Sequence, residues 1–233
     1  WHPSMTDSLR RRTALQAGGG AALLSWLPSL RAQSQSAAER PGWPAWEAFK
    51  AQFINEGGRV ISDDAGGGQT YSEGQAYALF FALVANDRAA FDKLLRWTEN
   101  NLCDGDITAR LPAWLWGKRP DGSWGVIDSN AASDADLWIA YALGEAGRLW
   151  NVRSYRAFSA LVAARILREE TAQLPGLGLT LLPAPQGFAQ GDGRWRLNPS
   201  YMPMHLMHWL AAVDPQPEWK QLVDSSLKVI QEI

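Results

Sequence analysis

Helical segments of two kinds alternate along this chain. Three are apolar on every side: Gln75–Ala85, Leu137–Leu143 and Met202–Val213. Four carry apolar residues on one face: Trp43–Glu56, Ala89–Leu102, the segment marked by Tyr155, Phe158, Val162 and Ile166, and that marked by Trp219, Leu222, Val223, Leu227 and Ile230. A helix that is apolar all round is buried on every side, and one-faced helices can cover it. This order predicts an all-α fold in two concentric layers, an α/α barrel or toroid, with no convincing run of strands.

Acidic residues stand at the starts of two of the three apolar segments. Glu73 follows Ser72 before the first segment, and Asp134 and Asp136 follow Ser133 before the second. Ser133 is a favoured N-cap residue, and the partial positive charge at a helix N-terminus stabilises anions. Carboxyl groups held at the mouths of buried helices indicate a functional site. The alternative is that they only stabilise the helix dipoles.

Composition limits the classes of protein to which this chain can belong. The 233 residues, 46% hydrophobic and 20% charged, fit one domain with a sizeable core. A net charge of −2 gives no electrostatic argument for nucleic acid or an anionic membrane as partner. Cys103 is the single cysteine, so no internal disulfide or cysteine-based metal site is expected. His205 and His208 have no neighbouring acid or cysteine, which favours a core or cleft role over metal binding. No cofactor is predicted.

Residues 1–33 are interpreted as an export signal, with residues 1–4 as extra sequence upstream of Met5. Arg10, Arg11 and Arg12 precede an Ala/Gly/Leu-rich stretch too short to span a bilayer comfortably. Adjacent arginines favour twin-arginine export, with Sec export as the rival and a membrane anchor less favoured. A polar linker, 34–42, then leads to the predicted catalytic domain, 43–233. The expected location is periplasmic or secreted, with no membrane attachment after signal cleavage.

The segment Ala132–Asp136 resembles the signature of glycoside hydrolase family 8. Four further segments resemble that family in the same order: Trp43–Trp46, Ser72–Gln75, Leu111–Lys118 and Asn198–Tyr201. The resemblance implies an (α/α)6 barrel, which agrees with the alternation of helices, and an inverting endo-β-1,4-glucanase. Its likeness is strongest to periplasmic cellulases encoded beside bacterial cellulose synthase. That likeness implies β-1,4-glucan as substrate and the cellulose export machinery as a partner.

The resemblance also implies roles for the acids. Glu73 matches the family's general acid, which must stay protonated to donate to the leaving oxygen. Burial raises the pKa of such a group and a helix N-terminus lowers it, so we expect burial to prevail only when substrate closes the cleft. Asp134 matches the aspartate that bonds the sugar and helps to place the attacking water. Asp136 points about 200° away from Asp134, so we expect it to brace a neighbouring loop or bind a sugar hydroxyl.

Aromatic residues are expected to form the glucan-binding groove, because indole rings pack on the C–H faces of sugars. Trp114 and Trp116 lie in a predicted loop on the side where the acids emerge, and Trp114 is the first choice as a sugar platform. Asn198 and Tyr201 precede the third apolar helix and complete the predicted substrate-binding set. Three other tryptophans are assigned to the core: Trp138, Trp150 and Trp209. Trp124 and Trp195 stay unassigned.

The resemblance implies that a complete barrel needs a longer sequence than these 233 residues. The apolar helices begin 60 to 70 residues apart, so six of them need a longer sequence, and the family's general base falls beyond Ile233. We therefore expect a truncated barrel with exposed apolar flanks, an ordinary pKa for Glu73, and no turnover by residues 43–233 alone. The alternative function is a non-catalytic glucan-binding or remnant protein. A polysaccharide lyase on another α/α toroid is less favoured.

Overall fold

Seven α-helices form the framework of the computed structural model, which describes residues 42–62 and 67–232. They are α1 (Pro44–Phe53), α2 (Ser72–Val84), α3 (Arg88–Leu102), α4 (Ser133–Leu149), α5 (Arg153–Glu169), α6 (Met204–Val213) and α7 (Glu218–Gln231). Each corresponds to a predicted helical segment. The predicted export signal, and the linker except residue 42, lie outside the described residues. None of the described helices is long and apolar enough to cross a membrane.

The helices pack in two layers. Helix α4 lies against both α2 and α6, which makes these three a continuous inner row. Helix α3 covers α2, α5 covers α4, and α7 covers α6. The inner helix α4 is buried on most sides, whereas α3 buries one face through Phe91, Leu94 and Leu102. The predicted alternation of inner and outer helices is therefore confirmed.

Five short strands lie between the described helices, although the sequence patterns indicate none. Strands β1 (Thr70–Tyr71), β2 (Leu115–Lys118) and β3 (Trp124–Asp128) form an antiparallel sheet in that order, with Tyr71 paired to Leu115. Strands β4 (Thr171–Leu174) and β5 (Gly178–Leu181) form a hairpin. Strands of two to five residues are too short for alternation to be recognised. The first sheet is important because it joins the chain before α2 to the chain before α4.

Helix α4 begins differently from the prediction. Ala132, not Ser133, is the N-cap, and no side chain caps the helix. Ser133 is the first helical residue, and its buried hydroxyl has no hydrogen-bond partner among the described residues. Its backbone N–H donates instead to the carbonyl oxygen of Pro183 at 3.0 Å. The start of α4 is thus held by a neighbouring loop.

Few large apolar side chains of the inner helices are exposed. One is Tyr77. The others are the final residues of the three helices, Val84, Leu149 and Val213, and each of these three is 56% exposed. Leu206, Met207 and Leu210 on α6 are wholly or almost wholly buried. The predicted exposure along the flanks is therefore wrong for most of the helix length. Trp138, Trp150 and Trp209 pack against the core, as predicted.

Candidate active site

The sheet brings the starts of α2 and α4 together. Glu73 is the second residue of α2, and Asp134 is the second residue of α4. Backbone hydrogen bonds connect the start of α2 to the loop that carries Trp114, and connect that loop to the residues before α4. Ser72 N–H donates to the carbonyl oxygen of Trp114 at 3.0 Å, and Trp114 N–H donates to that of Asn130 at 2.8 Å. Both acids and the predicted platform Trp114 therefore belong to one site.

The two acids have perturbed ionisation. Burial raises the pKa of Glu73, although its own backbone N–H and the hydroxyl of Ser72 stabilise the anion. Burial, with the charge of Glu73 as a second cause, raises the pKa of Asp134 from 3.8 to about 6. One oxygen of Asp134 is buried without a hydrogen-bond partner among the described residues. Burial thus prevails over the helix N-terminus without substrate, and the expectation of an ordinary pKa for Glu73 is wrong.

Two tyrosines complete the electrostatic cluster. Burial raises the pKa of Tyr77 and Tyr201, and the charges of Asp134 and Glu73 raise both further. Tyr201 ends a short 3₁₀-helix, Pro199–Tyr201, that precedes α6. Tyr77 is absent from the predicted substrate-binding set. Its spacing of four residues from Glu73 places it on the same face of α2 and is the signal that points to it.

Glu73 and Trp114 border two cavities. The larger, about 700 Å³, extends over Tyr71 and Tyr77 to the aromatic residues of α1. The smaller, about 220 Å³, is lined by Tyr201 and by loop residues before α4. The ring of Trp114 is held by a stacked contact with Tyr71, with centroids 5.9 Å apart. A protonatable acid therefore lines both cavities, beside an indole ring.

Comparison with known proteins agrees with this geometry. The sequence profile of glycosyl hydrolases family 8 matches residues 22–233. The chain belongs to glycoside hydrolase family 8. An endoglucanase from Escherichia coli (strain K12) is 48% identical over 190 residues, covering 82% of this chain and 51% of that protein. One from Pseudomonas fluorescens (strain SBW25) is 47% identical over 188 residues, covering 81% and 47%.

A solved glucanase structure shares the fold. The endo-1,4-D-glucanase from Vibrio fischeri ES114 superposes with a TM-score of 0.79 at 53% identity, covering 82% of this chain and 55% of that one. The described helices are accordingly part of an (α/α)6 barrel. The chain spans about half the length of the curated relatives that it matches.

Trp116 does not accompany Trp114 into the groove of this family 8 chain. It packs against Trp97 and Trp124, with ring centroids 5.3 and 5.4 Å apart, and the guanidinium of Arg59 lies 4.4 Å from its ring centre. It lines neither cavity at Glu73. The register shift in this sheet lies in β3, where Ile127 is an extra residue, whereas β2 pairs regularly with β1. The cavities at Glu73 give no support to the predicted substrate-binding role of Trp116, which stays a prediction.

Two further predicted substrate-binding residues are engaged elsewhere. Asp136 is wholly buried against Glu170, so it cannot reach a sugar hydroxyl, and that predicted role is wrong. Its position fits the other predicted role, a brace to a neighbouring loop. Asn198 caps the 3₁₀-helix before α6, where its side-chain oxygen accepts the N–H of Ser200 at 3.0 Å. Asn198 therefore orients Tyr201, and its contact with substrate stays a prediction.

The histidines of α6 are not core residues. His205 and His208 are both exposed, and His205 packs its ring against Trp138 with centroids 5.2 Å apart. Of the predicted core or cleft role, the core alternative is wrong and the cleft alternative stays a prediction. Within the described ranges, no group of three or more His, Cys, Asp or Glu side chains is arranged to hold a metal ion.

Proposed function

We propose that the protein is an endo-β-1,4-glucanase that cleaves with inversion and uses Glu73 as its general acid. One observation carries the proposal: Glu73, with a raised pKa, stands at the junction of two cavities and beside Asp134. A glycoside hydrolase needs a carboxyl group that keeps its proton until it can deliver it to the leaving oxygen. The endoglucanase relatives support the substrate class.

The division of roles between the acids follows from their positions, because Glu73 lines both cavities and Asp134 lies at the start of the neighbouring helix. Asp134, with a pKa of about 6, is mostly ionised at neutral pH. The charges of the two acids disfavour each other, and an ionised Asp134 stabilises the positive charge that develops on the sugar ring. The Asp134 side chain is partly exposed, so its carboxylate can accept a hydrogen bond from a sugar hydroxyl. Glu73 then protonates the leaving oxygen while Asp134 holds the sugar at the cleaved position.

Cleavage within a chain follows from the groove. Both cavities contact Glu73, so sugar units can bind on either side of the bond that it protonates. Trp114 borders both cavities and offers an indole face next to the acid. A pocket closed on one side of the acid would favour release of end units instead.

A second candidate is a glucan-binding protein without turnover. Besides Glu73, the one acid that lines either cavity is Asp128, on the smaller one, and its carboxylate already accepts the N–H of Asn130 at 2.9 Å. Among the described residues, neither cavity therefore offers an uncommitted carboxylate to activate water opposite Glu73. Binding of cello-oligosaccharides without products, in every sequence context tested, would favour this candidate.

The test uses the chain by itself and a chimera. The chimera replaces the matching half of the Escherichia coli endoglucanase with this sequence. We expect the chimera to hydrolyse carboxymethyl cellulose and Glu73→Gln to reduce its rate by about 10²–10⁴-fold, with cello-oligosaccharide binding retained. Glu56→Gln, an exposed substitution of the same kind, is the matched control. Turnover by the chain alone would mean that Asp128 or Asp134 activates water, and that this division of roles is wrong.

Inversion has its own measurement. Inverting enzymes keep their two carboxyl groups about 6.5–9.5 Å apart so that water enters between them. Proton NMR of the first products should show the α-anomer from β-1,4-glucan. The β-anomer appearing first would contradict inversion.

We also propose that the protein is exported and serves a cellulose export system. The support is Arg10–Arg12 before an apolar stretch, together with the resemblance to periplasmic cellulases of cellulose synthase systems. Residues 1–33 fused to a reporter should carry it out of the cytoplasm, and replacing Arg10 and Arg11 by Lys should block a twin-arginine route. Export that is unaffected by these replacements would favour the Sec route. Retention of the reporter in the cytoplasm would contradict the proposed location.

A further inference from the structure

Two carboxyl groups meet inside the protein, away from the groove. Asp136 lies in the first turn of α4, and Glu170 follows the last residue of α5 as its C-cap. Both residues are wholly buried, and their carboxyl groups are within hydrogen-bonding contact. The contact joins the two helices of one inner–outer pair.

The pair has no partner except itself. Neither carboxyl group receives a hydrogen bond from any other described residue. The charges of Asp134, Glu73 and Glu169 act on the pair, and Asp136 acts on the Cys103 thiol, whereas Arg165 and Arg168 pair with Glu169. Two ionised carboxylates in contact cannot remain buried without compensation. A proton held between them removes one charge and supplies the missing donor.

The helix termini decide which oxygen holds the proton. Asp136 lies near the positive N-terminal end of α4, which stabilises its ionised form. Glu170 lies at the negative C-terminal end of α5, which disfavours its ionisation. We propose that Glu170 carries the shared proton and donates it to Asp136, and that this hydrogen bond positions the start of α4, and with it Asp134.

Backbone contacts connect the pair to the groove. The carbonyl oxygen of Glu170 accepts the N–H of Leu182 at 2.8 Å, and Ser133 N–H donates to that of Pro183 at 3.0 Å. Pro183 lines the smaller cavity at Glu73. Loss of the shared proton would place two charges in contact between the elements that hold this wall. Glu170 and Asp136 are therefore positioning residues that act through α4 and the loop.

The sign of the pH dependence follows from the proton. The folded chain keeps a proton that two water-exposed carboxyl groups of the unfolded chain release above about pH 4–5. The folded form thus binds more protons than the unfolded form, and stability falls as pH rises until the shared proton is lost. Glu170→Gln replaces the shared proton by an amide N–H that does not titrate. This variant keeps the hydrogen bond and loses the pH dependence.

The experiment follows thermal unfolding from pH 5 to 9 for four proteins: wild type, Glu170→Gln, Asp136→Asn and Glu169→Gln. Glu169 lies next to Glu170 but pairs with Arg165 at 2.7 Å and is partly exposed, so its variant is the matched control. We expect Tm to fall with pH more steeply in wild type and Glu169→Gln than in Glu170→Gln, whereas Asp136→Asn keeps a buried Glu170 carboxyl and should retain part of the slope. Parallel curves for all four would overturn the shared proton.

Infrared spectroscopy gives an independent readout. The difference spectrum between wild type and Glu170→Gln at pH 7 should contain the carbonyl stretch of a protonated carboxylic acid. Its absence would show that Glu170 is ionised. Should Glu170→Gln fail to fold, the double variant Asp136→Asn, Glu170→Gln takes its place, because it also removes the Glu170 carboxyl group.

The positioning role rests on the proposed function and has a separate arm. Wild type should lose affinity for cellopentaose by up to about tenfold per pH unit once the proton is lost, whereas Glu170→Gln should keep it. If wild type and Glu170→Gln bind cellopentaose with the same pH dependence while the infrared spectrum shows the protonated acid, the shared proton stands and the positioning role is wrong. No binding at any pH would contradict the proposed function, while the unfolding and infrared results would still decide on the shared proton.

Discussion

Replacing Asp134 by Asn should stabilise the protein while damaging its site. Asp134 has a pKa of about 6 in the folded chain, compared with an ordinary value of 3.8. Below about pH 4 the group is protonated in both the folded and unfolded forms, and burial carries no electrostatic cost. Above that pH the unfolded chain ionises it in water, whereas the folded chain must hold the charge in a buried site. The cost grows up to about pH 6 and is constant beyond.

The magnitude follows from that difference. The difference between the folded and ordinary pKa values of Asp134 corresponds to about 3 kcal/mol at neutral pH. We reduce this to about 2 kcal/mol because part of the side chain contacts solvent. The asparagine side chain carries no charge, so the Asp134→Asn variant should be more stable than its parent by this amount. For a domain of this size that is a rise in Tm of about 4–8 °C.

The assay is thermal unfolding of parent and Asp134→Asn between pH 3.5 and 8. The difference in Tm between Asp134→Asn and its parent should be absent near pH 4 and constant above pH 7. Asp224→Asn, an exposed substitution on α7, is the control and should show no such gap. A variant that is less stable than its parent at pH 7, or a gap that does not close toward pH 4, would refute the reasoning.

Two further predictions concern binding and packing. Trp114→Ala should weaken cellopentaose binding by roughly tenfold or more, because an indole platform is lost, whereas Trp116→Ala should change it little; calorimetric titration compares them. Gly144→Ala should lower stability by about 1–3 kcal/mol, since its Cβ would lie 2.3 Å from the ring of Trp209, while Gly42→Ala meets nothing within 4 Å. Equal Tm values for the two alanine variants would refute that packing argument.

Much of the helical framework was predictable from sequence. Helices of ten or more residues carry several turns of apolar periodicity, which is why α3 and α7 are recognised with nearly their observed ends. Glu73 and Asp134 are recognised because each stands directly before such a run. Strands β1 to β5 carry too few residues to show a pattern.

The remaining details depend on tertiary contacts. Trp116 packs against Trp97 and Trp124 and lines neither cavity at Glu73, and no local sequence pattern indicates these contacts. Ser133 is a residue type that favours the N-cap position. Its backbone N–H instead donates to the carbonyl oxygen of Pro183, about fifty residues later in the chain. Glu170 meets Asp136 only because α5 folds back along α4. Each case shows a contact between distant residues prevailing over a local preference.

The central claim is that Glu73 delivers a proton to the leaving group, and leaving-group dependence tests it most directly. In the chimera, Glu73→Gln should abolish turnover of carboxymethyl cellulose but spare that of dinitrophenyl β-cellobioside, whose leaving group departs without a proton. The matched Glu56→Gln variant should hydrolyse both substrates at the parent rate. Equal losses on both substrates, or none on either, would contradict the assignment of Glu73 as the general acid.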